Sequence, residues 1–355
     1  MQMLIGNHTK LFYGDHAYAE LNMWLTKNTF ANIFILVDSN TQAYCLPHFL
    51  PQLATSLPIE VIEIEAGEEN KTIETCTGIW ETLSELGAKR NSLLMNLGGG
   101  MTTDIGGFIA STYQRGISFI NIPTSLLGMV DASAGGKTGV NLNTLKNQVG
   151  SFKMPEIVLL DINYLETLPQ RELKSGLAEM YKHGLITSKN YWKELSDLSQ
   201  LSLADLENLI LTSINIKDEV VTKDIYENGL RKILNFGHTL GHAIESYSHQ
   251  DNQFKNLTHG EAIAIGMVLE SHLSYSELDL PHKKVEEIKK VLLQTFEKVH
   301  FTEKDIAEII QLLQYDKKNN SSAVNFVLLE DIGQAKIDIH VSEKQIIEAF
   351  RFYLA

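Results

Sequence analysis

Cysteine is scarce: the 355 residues contain two, Cys45 and Cys76. Two thiols exclude a disulfide scaffold and an all-thiolate metal site, and a reducing cytoplasm is the simplest expectation. Long apolar runs are also missing. The longest stretch without Asp, Glu, Lys, Arg or His is 116–130, and it includes Ser118, Asn121, Pro123, Thr124 and Ser125. It is too short and too polar to span a bilayer. The N-terminal MQMLIGNHTKLFYGD has no charged segment followed by an apolar one, so no targeting signal is expected. Positive charge is in deficit, with 30 Lys and Arg against 44 Asp and Glu and a formal net charge of −14. Without a basic block, neither nucleic acid nor an anionic membrane is an expected partner. There is no internal repeat, heptad run or low-complexity tract.

What is present is ordinary globular sequence, 44% hydrophobic and 21% charged. The length exceeds what one core usually holds, which points to two domains. In the first half, apolar runs at 33–37, 92–97, 119–122 and 157–160, and an alternating run at 60–64, read as strands. Helical patterns at 72–86 and 102–113 lie between them. Such alternation predicts a doubly wound, Rossmann-like α/β domain over 1–168. From 169 the patterns become mostly helical, at 201–221, 260–275, 284–296 and 305–313. Short strands at 324–329 and 336–340 and a closing helix at 342–353 complete a mainly α-helical domain over 169–355.

Three groups of residues carry possible chemistry. A strand runs into Gly98-Gly99-Gly100 and then a helix, the layout of a phosphate-binding turn, although the spacing is not G-x-G-x-x-G. Asp38 ends an earlier strand, where an acid either accepts from a ribose hydroxyl or caps a turn. The run NFGHTLGHAIE places His238 and His242 on one helix face, and His259 follows in THGEA. Glu179, in GLAEMYKHG, is either solvated or paired. Two imidazoles and one carboxylate would leave a metal with open positions, as catalytic sites require; the alternative is capping or core histidines. Finally Lys137, Lys146, Lys182, Lys217 and Arg231 lie among Gly, Asn and small residues. Converging cations suit a phosphorylated, carboxylated substrate, whereas isolated ones are surface charges. The segment AGGKTG falls short of a Walker loop because position 131 is Asp131.

Taken in order, GGGMTTDIGGFIASTYQRGISFINIPTSLLGMVDASAGGKTGVN, LKNQVGSF, LPQRELKSGLAEMYKHGLI, LRKILNFGHTLGHAIES, THGEAIAIGM and DKKNN resemble the 3-dehydroquinate synthase family over roughly residues 33–333. The resemblance implies that fold, with NAD and zinc (cobalt possible) as cofactors. It implies Glu179, His238 and His259 as metal ligands and His242 as a catalytic histidine. It further implies Asp131, Lys137, Asn147, Lys182, Lys217, Arg231 and Asn235 as substrate or metal-shell contacts. Arg115 would be lent across a homodimer interface, and Lys317 or Lys318 would reach the same pocket. NAD contacts would come from Asp38, Asn40, Glu68, Lys71, Gly99, Gly100, Met101, Asp104, Thr124, Ser125, Lys137, Lys146, Tyr164 and Thr167.

The activity so implied converts 3-deoxy-D-arabino-heptulosonate 7-phosphate to 3-dehydroquinate and phosphate. Transient oxidation, phosphate elimination, reduction, ring opening and an aldol closure follow one another, in the shikimate pathway. The rivals are another sugar phosphate cyclase, or a polyol dehydrogenase on the same fold. Two features depart from the family pattern: Met101-Thr102-Thr103 after the glycines, and a His242–His259 gap, SHQDNQFKNL included, a few residues longer than usual, expected to lengthen a polar loop between the ligand helices.

Overall fold

The computed structural model describes residues 2–5, 9–143, 145–197, 203–250, 254–315 and 324–355. Its strands are β1 (Gln2–Ile5), β2 (Thr9–Tyr13), β3 (Ile33–Asp38), β4 (Ile59–Ile64), β5 (Leu93–Gly98), β6 (Ser118–Pro123), β7 (Lys137–Leu142), β8 (Leu145–Phe152), β9 (Ile157–Leu160), β10 (Asn325–Asp331) and β11 (Gln334–His340). The helices are α1 (Ala17–Lys27), α2 (Ser39–Tyr44), α3 (Leu46–Phe49), α4 (Ile73–Glu85), α5 (Gly100–Thr112), α6 (Leu126–Val130), α7 (Gln170–Thr187), α8 (Lys189–Leu195), α9 (Leu203–Lys223), α10 (His238–Gln250), α11 (His259–Leu278), α12 (His282–Thr295), α13 (Glu303–Tyr315) and α14 (Glu343–Leu354). The chain divides into two units, Met1–Pro169 with Lys217–Glu219, and Gln170–Ile216 with Val220–Ala355.

The first unit is built on a seven-stranded sheet in the order β1-β2-β9-β6-β5-β3-β4. Only β1–β2 is antiparallel; every other pair in this sheet is parallel. All residues of β3, β5 and β9 are buried, because helices cover both faces of a parallel sheet. Edge strand β4 buries only Ile62 and Ile64, which explains its alternating sequence. Helix α4 starts at Thr72, whose hydroxyl accepts from Thr75 N–H, and buries Cys76, Ile79 and Leu83. They join Phe34, Leu36, Leu94, Ile105, Ile109 and Phe119 in the core.

Chain order sets the ligand crevice. From β3 the chain moves outward to β4, then returns to place β5 on the other side of β3. This reversal is a topological switch point, where doubly wound sheets open a crevice beyond the carboxyl ends of the strands. Asp38 and Gly98 are those carboxyl ends.

In the second unit α11 packs against α7, α10, α12, α14 and β10. Its buried residues lie on every side, as expected for an apolar helix at the centre of a bundle. Glycines allow the closest approach. A Cβ on Gly266 would lie 2.0 Å from the Gly237 carbonyl oxygen and 2.8 Å from the Gly241 nitrogen. Gly266→Ala is therefore expected to push α10 from α11 and cost about 1–3 kcal/mol. Chemical denaturation should show an earlier midpoint; an unchanged one would contradict so tight a crossing. Among the described residues, no helix is long and apolar enough to cross a membrane.

Among the elements the sequence did not reveal are β1, β2 and α1 near the N-terminus and the antiparallel hairpin β7–β8 over 137–152. The polar loop expected between the ligand helices is shorter than the run SHQDNQFKNL, because α10 continues to Gln250, burying Ile244, Tyr247 and Ser248. Residues 251–253 lie outside the described residues, as do Lys317 and Lys318.

Candidate active site

In the first unit, Asp38 is the hinge of the crevice. Its carboxylate caps α2 by accepting from Asn40 and Thr41 N–H, at 3.0 Å each. The other carboxylate oxygen accepts from Thr102 Oγ1 at 3.0 Å. The end of β3 is thereby tied to the first turn of α5, just after Gly99 and Gly100. A Cβ on Gly100 would come within 3.2 Å of Ala132 Cβ, and one on Gly99 within 3.2 Å of Ser125 Oγ. Ser125 caps α6 through Gly128 N–H, and Thr124 N–H donates to Gly98 O. Glycine backbone at a helix N-terminus, with partial positive charge, suits a dinucleotide's phosphates. Met101 follows these glycines in α5.

Lys71 is only 3% exposed and forms an ion pair with Asp104 at 2.7 Å. Burial alone would lower its pKa, but Asp104 and Glu68 outweigh it and hold the ammonium charged. Lys71 also donates to Asn147 Oδ1 at 2.7 Å. Tyr164 is buried beside Tyr18, their hydroxyls 3.0 Å apart, and Tyr18 donates to Asp161. Thr167 ends the same turn, its hydroxyl on the Tyr164 carbonyl. Lys217, counted with this unit, meets Asp131 Oδ1 at 2.6 Å. Lys137 and Lys146 lie on the β7–β8 hairpin. Arg115 is exposed, in left-handed backbone at φ 67° beside Gln114 at φ 48°.

The second unit gathers Glu179, Lys182, His238, His242 and His259. Glu179 is fully buried on α7. Its Oε1 lies 3.4 Å from His238 Nε2 and 3.6 Å from His259 Nε2, and its Oε2 pairs with Lys182. Neither carboxylate oxygen finds a hydrogen bond of ordinary geometry. Two ligand atoms about 2.0–2.1 Å from one tetrahedral ion stand about 3.4 Å apart. The Glu179–imidazole separations fit a shared ion at that spacing. The ring nitrogens of His238, His242 and His259 also converge, one from each lying within 4.8 Å of the others. His242 is exposed, whereas His238 and His259 are half-buried.

Local structure fixes these rings. His259 is the first residue of α11, which opens with the T-x-x-E capping box of Thr258 and Glu261. Arg171 holds Glu261 with two donors, at 3.1 and 2.6 Å. His238 opens α10, and Gly237 before it has φ 79° and would clash with Met267 if it carried a Cβ. This end is capped from a distance: Glu270, reaching from α11, accepts from Gly237 N–H at 2.6 Å and Leu240 N–H at 3.1 Å. Each Nε2 is left facing Glu179 because the Nδ1 side is engaged: His238 Nδ1 with the Phe236 carbonyl at 3.1 Å, and His259 Nδ1 with Glu245 Oε2 at 3.3 Å. Such partners set the tautomer and orientation of ligating histidines.

Charge is distributed unevenly. Burial alone would raise the Glu179 pKa, but Lys182 and His238 hold it well below the carboxylate range. Burial and the neighbouring Lys182 push His238 down. Burial would lower His259 too, yet bonding to Glu179 and Glu245 lifts it to about 9. Arg231 is 3% exposed and donates to the Ile225 carbonyl at 2.6 Å; Asn235 donates to Glu227 at 2.7 Å.

Sequence reasoning did not single out Glu245, Glu270, Glu227, Arg171 or Asn141. Glu245 was legible: His238, His242 and Glu245 are spaced i, i+4, i+7, which is one helix face. Glu270 was signalled by one acid inside the apolar run AIAIGMVLE. Nothing in the sequence marked Glu227.

The family model for the 3-dehydroquinate synthase N-terminal region matches residues 61–175, and that for its C-terminal region matches 176–319. A 3-dehydroquinate synthase of Parabacteroides distasonis is 41% identical over 94% of this chain and 95% of its own. One from Leptospira interrogans serovar copenhageni is 40% identical over 90% of this chain and 88% of its own. Among solved structures, 2-deoxy-scyllo-inosose synthase complexed with carbaglucose-6-phosphate, NAD+ and Co2+ superposes with a TM-score of 0.85 at 27% identity, covering 99% of both chains. With matches spanning both units and most of the length, the chain belongs to the 3-dehydroquinate synthase family.

Proposed function

We propose that the chain converts 3-deoxy-D-arabino-heptulosonate 7-phosphate to 3-dehydroquinate and phosphate, as a carbon–oxygen lyase of the shikimate pathway in the cytoplasm. The observation that carries this reading is the buried Glu179 carboxylate between the Nε2 atoms of His238 and His259, with Lys182 and His242 beside it. Glu179, His238 and His259 would hold zinc, or cobalt, which supplies Lewis acidity toward substrate hydroxyls. The switch-point crevice, with Asp38, Asn40, Glu68, Lys71, Gly99, Gly100, Met101, Asp104, Thr124, Ser125, Lys137, Lys146, Tyr164 and Thr167, would hold NAD, which supplies a reversible hydride acceptor.

The protein's own share is positioning and charge compensation. Lys182, Lys217, Arg231 and the hairpin lysines Lys137 and Lys146 bind the substrate's phosphate and carboxylate. Asp131, Asn147 and Asn235 orient its hydroxyls. His242, exposed and one turn beyond His238, holds or moves a proton at its imidazole beside the substrate phosphate. The two left-handed residues at 114 and 115 present Arg115 outward, where a homodimer partner would take it up.

An endpoint assay with zinc, catalytic NAD and the heptulosonate phosphate tests this reading. Phosphate should exceed NAD many-fold, with no lasting absorbance at 340 nm. NADH accumulating without phosphate would instead identify a polyol dehydrogenase. Neither signal would redirect attention to another sugar phosphate.

A further inference from the structure

The β7–β8 hairpin is irregular at one place. Val140 pairs with Val149, but Leu142 pairs with Leu145, so Asn141 stands opposite a stretch of β8 with two residues too many. Bulges of this kind re-aim side chains beside functional sites. Asn147 lies in that stretch, in left-handed backbone at φ 55°, a conformation uncommon for L-residues but one that asparagine adopts more readily than most.

Asn141 ties this stretch to its neighbours. Its Oδ1 accepts from Asn147 N–H at 2.9 Å. Its Nδ2 donates to Glu68 Oε1 at 3.1 Å, and its backbone N–H donates to Lys71 O at 2.8 Å. Lys71 closes the ring by donating to Asn147 Oδ1 at 2.7 Å. The short segment 68–71 and the bulge at 146–147 are thus locked through one amide whose donor and acceptor sides are both engaged. Glu68 and Lys71 are proposed cofactor contacts, and Lys146 and Asn147 face the substrate in the same reading.

We propose that Asn141 is a positioning residue that holds the cofactor segment 68–71 and the substrate segment 146–147 in one register, so that filling the first organises the second. This rests on the NAD and sugar phosphate assignment above. An aspartate is the discriminating replacement. It keeps the acceptor for Asn147 N–H, removes the donor to Glu68, and sets two carboxylates against each other.

For Asn141→Asp, calorimetry should show NAD affinity reduced about tenfold, the size of one lost hydrogen bond plus a like-charge contact. The Michaelis constant for the sugar phosphate should rise even at saturating NAD, while kcat and zinc content stay near wild type and the cofactor-free protein remains folded with a slightly lower melting temperature, since the lost contact is present there too. Adding Glu68→Gln exchanges amide and carboxylate across the contact and should recover part of the loss relative to Glu68→Gln alone, a non-additivity typical of touching residues. Unchanged NAD affinity in Asn141→Asp, or strictly additive effects, would overturn the proposal. A wild-type protein that binds no NAD would instead overturn the functional reading on which it rests.

Discussion

Glu179→Gln is expected to abolish stoichiometric zinc binding and, with it, turnover. The replacement preserves shape and removes one charge. In the native site the carboxylate lies fully buried and faces three groups: Lys182, His238 and His259. An amide offers a metal a far weaker donor, and it leaves Lys182, 2% exposed, without its ion-pair partner. Removing one member of a buried pair typically costs about 3–5 kcal/mol. Two readouts keep metal loss apart from unfolding. Zinc affinity, measured by competition with a chelator, should fall by more than the roughly 100-fold that loss of a supporting contact can cause. Circular dichroism should still report a folded chain at low temperature. A folded variant that keeps full zinc content would refute Glu179 as a ligand.

The same site predicts a proton count. His259 is lifted to about 9 in the metal-free protein, above the ordinary histidine value, so it carries a proton at pH 7. His238 is pushed down and is neutral there. A ligating imidazole must give up its proton. Zinc binding at pH 7 should therefore release about one proton, and zinc affinity should increase as pH rises toward 9. Calorimetry in buffers of different ionisation enthalpy reads the count directly; zero protons would mean that His259 is not both protonated beforehand and a ligand.

These expectations stand on residues of unequal visibility in the sequence. The buried parallel strands were plain because burial on both faces forces continuous apolar runs such as IFILV and SLLMNL. The start of α11 was plain because T-x-x-E is a local signal. Helix α10 was harder. Its N-terminal N–H groups are satisfied by Glu270, 30 residues or more away, and no local pattern encodes such a cap. The hairpin β7–β8 was invisible for a related reason. Its strand β8 is mostly exposed, and a bulge interrupts its register, so the sequence KTGVNLNTLKNQVGSF shows no sustained alternation. Glu179 was ambiguous between solvated and paired until the fold buried it against a lysine one turn away. Composition cannot distinguish those fates, because burial of a charge depends on partners that distant elements bring.

Glu245→Ala carries the second large effect, and it separates support from ligation. Glu245 is 3% exposed, and its carboxylate meets His259 on the ring side away from Glu179. Its carboxylate oxygen, 3.3 Å from Nδ1, keeps that nitrogen as the proton-bearing one and leaves Nε2 to face Glu179. Loss of such a partner typically weakens metal binding about 10–100-fold. Alanine frees the ring to rotate and removes the negative charge that raises the basicity of the imidazole. Glutamine retains an acceptor oxygen but not the charge, so Glu245→Gln should fall between wild type and Glu245→Ala in zinc affinity. The order of the three proteins is the informative result. If glutamine matches wild type, orientation alone explains the effect; if it matches alanine, charge does. If alanine also binds zinc as tightly as wild type, Glu245 supports nothing at the metal, and the contact to His259 is packing.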